Sequence, residues 1–493
     1  MKIQNLTLAS SLLAFLTLAY IFFPESIDDA YITLRFSKNL MLGNGPVFNV
    51  GERVEGYSNF SWMVLLAAFG WAGVTMEMAM KYLSLISGLC VLALTWKLSS
   101  QYFKSIPAIV TSLALLGTSA FFAVWAVDGL ETMFYTMLLT LLVYLLTSGK
   151  SNPLLVGIIA GLIALTRPEG IMFALIAVSF LTFRKGYLSG LKALALVALF
   201  AGGYEVFRYY YFGQLVSNTA LAKVHMGADT VADGLHYLLA YNEGSGYLLL
   251  PAALIGAIAA KKNPHLLVPI SFVLAQIFFL MVSGGDFMHA YRFIIPVMPC
   301  LVLLCASCVE ILYAKMLRNI ALLTLALIVT SQAYFQYASL PEKHIGWDNL
   351  TFRSSTLFTI ANFLSQQSDR NDWILLSEAG IIPFYVDAKI MDYIGLVTSY
   401  NAVTNFNTVF NSNYLYAVHP KFLLISSVET SDGKIYTRNN LEATLLGNPN
   451  FSQYKFVRNF NVSKDASFLD AIYYKNLSPD IKRVFFTVFE RKN

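Results

Sequence analysis

The stretch LTLASSLLAFLTLAYIFF, residues 6–23, runs directly into PESIDDAYITLRF, residues 24–36. The first part is an apolar run that approaches the roughly 20 residues needed to cross the hydrocarbon core of a bilayer as a helix. Only a short segment with Lys2 precedes it, and no small-x-small cleavage site follows it. We therefore interpret this run as an uncleaved first membrane helix that leads into an acidic loop.

Similar apolar runs recur along the first two thirds of the chain. The chain has 493 residues, of which 57% are hydrophobic and only 13% are charged, whereas a soluble protein carries nearer a quarter. In lipid every backbone polar group must be satisfied within its own segment, and the runs lack the period-2 alternation of a barrel. The sequence thus predicts an α-helical polytopic membrane protein of about eleven transmembrane helices. The predicted spans are 6–23, 78–96, 106–126, 132–147, 153–166, 170–183, 191–211, 244–260, 264–282, 291–312 and 319–337.

The distribution of charge predicts the orientation. With the N-terminus in the cytoplasm, eleven basic residues and no acidic residue fall in the turns assigned to the inner side. These are Lys2, Lys97, Lys104, Lys150, Arg184, Lys185, Lys192, Lys261, Lys262, Lys315 and Arg318. Acidic residues gather in the opposite turns, as the positive-inside rule requires. An odd number of spans then places the C-terminus on the outer, periplasmic or extracellular, face.

Two regions lie outside the predicted spans. The first outer loop covers 24–77, and its apolar part, 59–74, is short enough to indicate an interfacial or re-entrant helix. In residues 341–493 hydropathy falls and short β-branched or aromatic runs occur, which is typical of a mixed α/β domain. The runs that we predict as strands are Trp373–Leu376, Phe422–Ile425, Ala471–Tyr474 and Arg483–Phe489. We therefore predict a transmembrane domain, 1–340, and a soluble extracytoplasmic domain, 341–493.

Composition also excludes some classes of site. The net charge of +5 is small, and the basic residues are not clustered as a nucleic-acid surface would need. All four cysteines lie in apolar runs, which favours small core residues over a disulfide framework or a thiolate metal site. The predicted spans carry almost no ionisable residue at mid-depth, which an ion-coupled transporter would usually need.

The acidic pair Asp28-Asp29 is the most prominent polar feature beside the first helix. It is explained either as the start of a helix near 30–40, whose dipole the acids complement, or as a carboxylate base that activates a hydroxyl. Adjacent helical residues point about 100° apart, so only one of the two can face a given acceptor oxygen. We expect Asp28 to be the base, with Asp29 second, and the other acid to cap the helix or orient Arg35.

Other polar motifs fall at the same membrane face. Glu52, Arg53 and Glu55 occupy a Gly-rich loop that could simply be solvated. Arg167 and Arg292 each stand beside an acid at a predicted outer helix end, which fits either a snorkelling ion pair or a cation that binds phosphate. Lys223, in a further outer loop, is a weak candidate for the same role.

Taken in order, these motifs resemble those of a bacterial family of membrane glycosyltransferases in the C superfamily (GT-C) that includes the mycobacterial terminal arabinofuranosyltransferase. The similarity runs from Asp28 to about Leu396, and the last hundred residues match no motif. The motifs are Asp28–Tyr31, Gly51–Phe60, Asp128–Thr132, Arg167–Gly170, Asn218-Thr219, Gly284–Met288, Arg292-Phe293, Glu378–Tyr385 and Asp392–Leu396.

This resemblance implies an inverting transferase that uses a polyprenyl-phosphate sugar as its donor. It implies Asp28 and Asp29 as catalytic, and the donor phosphate would be held by Arg167, Lys223 and Arg292. The residues expected to bind substrate are Glu52, Arg53, Glu55, Tyr57, Asn59, Glu131, Glu169, Asn218, Asp286 and His289. No cofactor is expected; a divalent metal is conceivable, but no His or Cys cluster indicates one.

The implied partners are the lipid-linked sugar, a glycan or protein acceptor and the bilayer, with no nucleic acid. The implied location is the bacterial inner (plasma) membrane, crossed many times. Within the family, arabinofuranose is the best guess for the sugar, and the acceptor stays open between envelope polysaccharide, lipopolysaccharide and a pilin-like protein. Two other functions compete: a lipid or solute transporter, and a non-catalytic envelope assembly protein, which would tolerate loss of Asp28.

Overall fold

Helices make up most of the chain up to residue 342, and a sheet that has six strands within the described residues follows. The structure is a computed structural model that describes residues 2–24, 26–148, 151–223, 229–342, 347–404, 410–430, 435–437, 440–461 and 481–492. The helices of the first part are α1 (Lys2–Phe22), α2 (Asp28–Met41), α3 (Phe60–Trp71), α4 (Met76–Tyr102), α5 (Ile106–Gly117), α6 (Ala120–Trp125), α7 (Thr132–Thr147), α8 (Pro153–Thr166), α9 (Gly170–Lys185), α10 (Tyr187–Val197), α11 (Gly203–Phe212), α12 (Asn218–Lys223), α13 (Asp229–Gly244), α14 (Leu249–Ala257), α15 (Leu267–Ser283), α16 (Met298–Ala314) and α17 (Arg318–Glu342).

Fewer helices than predicted are long enough to span a bilayer alone. Among the described residues, six helices qualify by length and apolar composition, and a seventh span results if α13 and the helix after it, bent by 105°, count as one. Shorter apolar helices are α3, α5, α7 and α8. The count of eleven is therefore not confirmed, although a helix lies within each predicted stretch. The helix predicted from residue 244 begins only at Leu249, after the end of α13, which the sequence analysis did not identify.

The span predicted over 106–126 is interrupted between α5 and α6. Ser119 caps α6, with its side chain accepting a hydrogen bond from the Phe122 amide. The interruption leaves polar groups inside an apolar bundle, where they need partners. Gln332 of α17 donates to the Leu115 carbonyl at 2.7 Å, and the Ser119 hydroxyl donates to Gln336 at 2.9 Å. Two buried glutamines of α17 thus stabilise the break.

The first outer loop contains two helices. α2 includes the helix predicted near 30–40, and it buries Leu34 and Phe36 completely. α3 has 12 residues, which is too short to cross a bilayer, as the prediction for 59–74 anticipated. The two helices are joined by the Gly-rich segment 42–59, and the hydroxyl of Ser37 on α2 donates to the Met63 carbonyl of α3 at 2.9 Å.

The last part of the chain contains a mixed sheet with flanking helices. Its order is β2-β1-β3-β6-β5, with β4 also paired to β3. β2, β1 and β3 are parallel to one another, β6 and β4 are antiparallel to β3, and β5 is antiparallel to β6. The strands are β1 (Trp373–Leu376), β2 (Lys389–Asp392), β3 (Phe422–Thr430), β4 (Ile435–Thr437), β5 (Tyr454–Asn461) and β6 (Ile481–Arg491). The helices are α18 (Trp347–Ser365), α19 (Ile381–Tyr385), α20 (Tyr400–Val403), α21 (Ser412–Tyr416) and α22 (Asn440–Gly447).

The predicted α/β character of this region is confirmed. Three of the four predicted strand runs fall in β1, β3 and β6, whereas the run 471–474 lies outside the described residues. The carboxyl ends of the parallel strands β1 and β2 lead into segments that contact the helical part, because backbone groups after Leu376 and Asp392 bind α2 and α12. The boundary at 340/341 falls within α17, and the division into two domains stays a prediction.

Candidate active site

One cavity, of about 420 Å³, collects residues from most of the predicted motifs. Its wall is built from the first turns of α2, the segment 56–59, the turns before α7 and between α8 and α9, the segment 217–220, the end of α15 with the loop that follows, and one residue after β2. The predicted site residues that line it are Asp29, Tyr57, Asn59, Glu131, Arg167, Glu169, Asp286 and Arg292. Residues separated by more than 250 positions thus form one wall.

Asp28 and Asp29 begin α2 side by side but have different surroundings. The Asp28 carboxylate accepts hydrogen bonds from the backbone amides of Gly380, at 3.0 Å, and Ile381, at 2.7 Å. Asp29 lines the cavity, and Asp28 is not among the lining residues. Because successive helical residues are rotated by about 100°, the two carboxylates leave the helix in different directions. Of the two acids, Asp29 therefore lines this cavity, and Asp28 faces the segment that follows β1.

Arg167 is held by two carboxylates. Its Nη1 lies 2.9 Å from Glu131 and its Nε lies 2.5 Å from Glu169, and all three residues are buried. The second oxygen of Glu131 accepts a hydrogen bond of 2.8 Å from Asn59, which in turn contacts Thr33 of α2. The guanidinium charge is therefore already more than balanced, so the arrangement does not favour the predicted role of Arg167 as a phosphate ligand.

Arg292 has a simpler environment. Its Nε donates to Asp286 at 2.7 Å, and its guanidinium lies over the rings of Trp125 and Phe293, at 5.9 and 5.1 Å. The loop that carries Asp286 turns sharply at Gly285, where φ is +86° and an added Cβ would lie 2.8 Å from Tyr237. Arg292 pairs with one carboxylate where Arg167 pairs with two, which makes it the better placed cation for an anionic ligand.

Several predicted substrate-binding residues lie elsewhere. Glu55 turns away from the cavity and accepts hydrogen bonds from Tyr204, at 2.5 Å, and Arg208, at 2.7 Å. Burial raises the pKa of the Glu55 carboxyl above its usual range, while these two partners oppose the shift. Glu52 accepts a hydrogen bond from Asn49, and Arg53 lies 4.6 Å from the Tyr211 ring. These three residues shape the loop that carries Tyr57, and none of them lines the cavity.

His289 lies behind the cavity wall. Its Nε2 is 3.4 Å from the fully buried carboxylate of Asp128, and its ring stacks on Trp125 at 5.4 Å. The Trp125 indole donates to the Ala290 carbonyl at 3.1 Å. The Trp125 ring also lies under the Arg292 guanidinium, so this indole links His289 to a residue that lines the cavity. Sequence reasoning missed Trp125 because a lone aromatic residue in an apolar helix carries no distinguishing signal.

Asn218 holds a loop of the C-terminal region against the cavity. Its Nδ2 contacts the carbonyls of Gly395, Leu396 and Thr398, at 2.5, 3.0 and 2.8 Å. Asp392 accepts hydrogen bonds from three backbone amides of the same loop, and burial raises its pKa to about 6. Leu396 lines the cavity, so Asn218 and Asp392 fix part of its wall without lining it.

The remaining predictions on ligands can be placed only in part. Lys223 ends α12, but its side chain lies outside the described part of the chain. Within the described residues, no group of three or more His, Cys, Asp or Glu side chains is placed to hold a metal ion. Among the described residues that line the cavity, four carry carboxylates and two carry guanidinium groups. This part of the wall is thus more acidic than the predicted set of phosphate-binding cations implies. Phe287, which belongs to the motif Gly284–Met288, and Phe279, which no motif includes, give it an apolar side.

Known proteins share both sequence and fold with this chain. It is 28% identical over 326 residues to a terminal β-(1→2)-arabinofuranosyltransferase of Mycobacterium tuberculosis, covering 55% of this chain and 50% of the relative. It is 30% identical over 347 residues to the protein of the same name from Corynebacterium glutamicum, covering 59% of this chain and 50% of the relative. The predicted resemblance is confirmed. The chain spans about half the length of these curated relatives.

Solved structures give the fold. The crystal structures of ArnT from Cupriavidus metallidurans, in the apo state and bound to undecaprenyl phosphate, match with TM-scores of 0.58 and 0.60 at 12% and 11% identity. Each match covers 98% of this chain and 97% of ArnT. The chain therefore has an ArnT-like GT-C fold. A model described as a domain of unknown function, DUF8728, matches residues 346–476, which includes most of the C-terminal sheet.

Proposed function

We propose that this protein is an inverting membrane glycosyltransferase. It takes a sugar, with arabinofuranose as the first candidate, from a polyprenyl-phosphate donor and transfers it to a hydroxyl group of an envelope glycan or surface protein. The reaction takes place at the outer face of the inner membrane, with the N-terminus in the cytoplasm. We propose that the reaction needs no cofactor.

The observation that carries this proposal is that Asp29 and Arg292 line the same cavity. A carboxylate can accept the proton of a hydroxyl group only as that oxygen attacks, since the free hydroxyl is far too weak an acid. A guanidinium near the departing phosphate stabilises the charge that develops on it. A base and a cation that line one cavity are the two groups that this displacement requires.

The proposed step is a single displacement. The acceptor oxygen forms a bond to the anomeric carbon while its proton passes to Asp29. The bond between that carbon and the phosphate oxygen breaks, and its electron pair leaves with the polyprenyl phosphate, facing Arg292. Attack opposite the leaving group inverts the anomeric centre. Of the three other acids, Asp286 stays paired with Arg292, and Glu131 and Glu169 stay paired with Arg167 and offer acceptors for sugar hydroxyls.

The apolar side of the cavity supports the proposal that the donor carries a lipid tail. Phe279 at the end of α15 and Phe287 in the following loop both line it, and Phe287 is 63% exposed. An apolar exit beside a charged pocket suits a molecule with a phosphate head and a polyprenyl tail. The ArnT structure bound to undecaprenyl phosphate supports the same donor class, and the relatives named as arabinofuranosyltransferases support the choice of sugar.

The test is transfer by purified protein in lipid nanodiscs. Wild-type protein is given polyprenyl-phosphate arabinofuranose and a short arabinan, and the product is detected by mass spectrometry; other polyprenyl-phosphate sugars form a specificity panel. Asp29→Asn is expected to lower turnover by about 10² to 10⁴, the usual contribution of a general base. The exposed Asp369→Asn is the matched control and should not change turnover.

Two results would count against the proposal. No transfer from any polyprenyl-phosphate sugar removes the donor class. Normal transfer by Asp29→Asn removes the base, and a deletion strain with altered envelope glycans would then favour the assembly-protein alternative. Mass spectrometry of envelope glycans and surface proteins from that strain also identifies the acceptor.

A further inference from the structure

Asp28 lies next to the proposed base, yet both of its carboxylate oxygens bind the C-terminal region. Oδ2 accepts from the Gly380 amide at 3.0 Å and Oδ1 accepts from the Ile381 amide at 2.7 Å. These amides belong to the segment that leaves β1 and forms α19, more than 350 positions along the chain. A carboxylate that accepts two backbone N–H bonds forms a strong, oriented contact.

The approach of the two segments is close enough to require glycine. A Cβ placed on Gly380 would lie 1.8 Å from the carbonyl oxygen of Asp28 and 2.7 Å from its carboxyl carbon. Neither the backbone of α2 nor that of the 380 segment could accommodate such an atom without moving. The contact therefore fixes the separation of the two backbones, and it does so at the first turn of α2.

The same face of α2 holds the other end of this segment. Arg35 follows Asp28 by seven residues, which is close to two full helical turns. Its guanidinium donates to the carbonyl of Ala388 at 2.9 Å, to that of Val386 at 3.3 Å, and also to that of Pro383. An acid thus binds amides at one end of residues 380–388, and a cation binds carbonyls at the other.

We propose that Asp28 is a positioning residue, which docks residues 380–388 against α2 and thereby sets the place of Asp29 in the cavity. The proposal rests on the proposed function, in which Asp29 is the base. Asp29 is covalently adjacent to the docked residue and one helical step around the axis, so any shift of the first turn of α2 moves its carboxylate. Misplacement of a catalytic group by about 1 Å can cost 10²-fold in rate.

Two variants break the contact from opposite sides. Asp28→Asn keeps the shape but presents one acceptor and one N–H₂ donor to two amide donors. Gly380→Ala leaves both acids intact and pushes the segments apart. We expect each to lower kcat by roughly 10- to 100-fold with little change in KM for the donor. The matched controls are Gly447→Ala, where an added Cβ meets nothing within 4 Å, and the exposed Asp369→Asn.

Hydrogen exchange measures docking without any substrate. In nanodiscs, both variants should speed amide exchange across residues 380–388, and the controls should not. If both variants exchange faster but the wild type transfers no sugar, the docking contact is supported and the proposed function is contradicted. Unchanged exchange in both variants would overturn the docking contact.

Rescue of activity by azide distinguishes a catalytic base from a positioning residue. Azide can attack the anomeric carbon without losing a proton; a carbon–nitrogen bond forms, the carbon–phosphate-oxygen bond breaks, and polyprenyl phosphate leaves with the electron pair. Asp29→Ala should therefore regain turnover as glycosyl azide, whereas Asp28→Asn should not. Rescue of Asp28→Asn instead would make Asp28 the base and overturn the inference. Faster exchange with unchanged kcat in both variants would reduce Asp28 to a purely structural role and also overturn it.

Discussion

Substitution of Arg167 tests whether this residue stabilises the fold or binds the donor phosphate. Arg167→Ala removes one guanidinium from a site that is 6% exposed and leaves Glu131 and Glu169, both 5% exposed, without the cation that lies 2.9 and 2.5 Å from them. Removing one partner of a buried ion pair costs about 3 to 5 kcal/mol, because the remaining charge stays desolvated. With two carboxylates left, we expect the upper part of that range.

The assay is unfolding of the purified protein in detergent, followed by size-exclusion fluorescence across a temperature series. The exposed Arg370→Ala is the matched control and should unfold as the wild type does. The triple variant Arg167→Ala, Glu131→Gln, Glu169→Gln should recover much of the loss, since no unpaired charge remains. An Arg167→Ala protein that unfolds like the wild type but cannot use donor would refute this reasoning and restore Arg167 as a phosphate ligand.

Four further outcomes are expected. Arg292→Ala should lower turnover at limiting donor more than it lowers stability. Arg292→Lys should restore only part of that turnover, because the planar guanidinium is lost. If Arg292→Ala turns over limiting donor as fast as the wild type, Arg292 is not part of the site. Asn218→Ala should raise KM for substrate through the loop it holds, and an unchanged KM would argue against that loop as a wall of the cavity. Burial raises the pKa of Asp392 in the folded protein to about 6, above its ordinary value, so the folded state binds the proton more tightly than the unfolded state does. The stability that this adds should be lost as pH rises from about 4 to 6. The unfolding free energy of the wild type, measured relative to that of Asp392→Asn, should fall across that window. A reporter that is active only in the cytoplasm, fused after Asn493, should be silent, and activity there would reverse the predicted topology.

The sequence predicted the helical stretches well because length and hydropathy are local properties. It could not predict where a span breaks, since the interruption at Ser119 is compensated by glutamines more than 200 positions away. The strands β2 and β4 have four and three residues, and β5 is exposed along most of its length, so none produces a clear apolar run.

The site was predicted as a set of motifs, and the structure separates those that meet from those that do not. The motifs predicted Asp28 as the base ahead of Asp29, and Glu55 as a substrate-binding residue. Their direction depends on partners distant in the chain, Arg208 for Glu55 and the 380 segment for Asp28. Polarity in a sequence shows that a side chain needs a partner; only the fold shows whether that partner is protein or ligand.

The break between α5 and α6 also constrains biosynthesis. The Leu115 carbonyl and the Ser119 hydroxyl obtain their partners from α17, 217 residues later in synthesis. At about 5 to 20 residues per second, that interval is roughly 10 to 40 seconds. During this time the interrupted segment must remain near water or the insertion machinery, because its polar groups cannot enter lipid unpaired. Arrival of α17 is then the event that allows the early helices to close as a bundle.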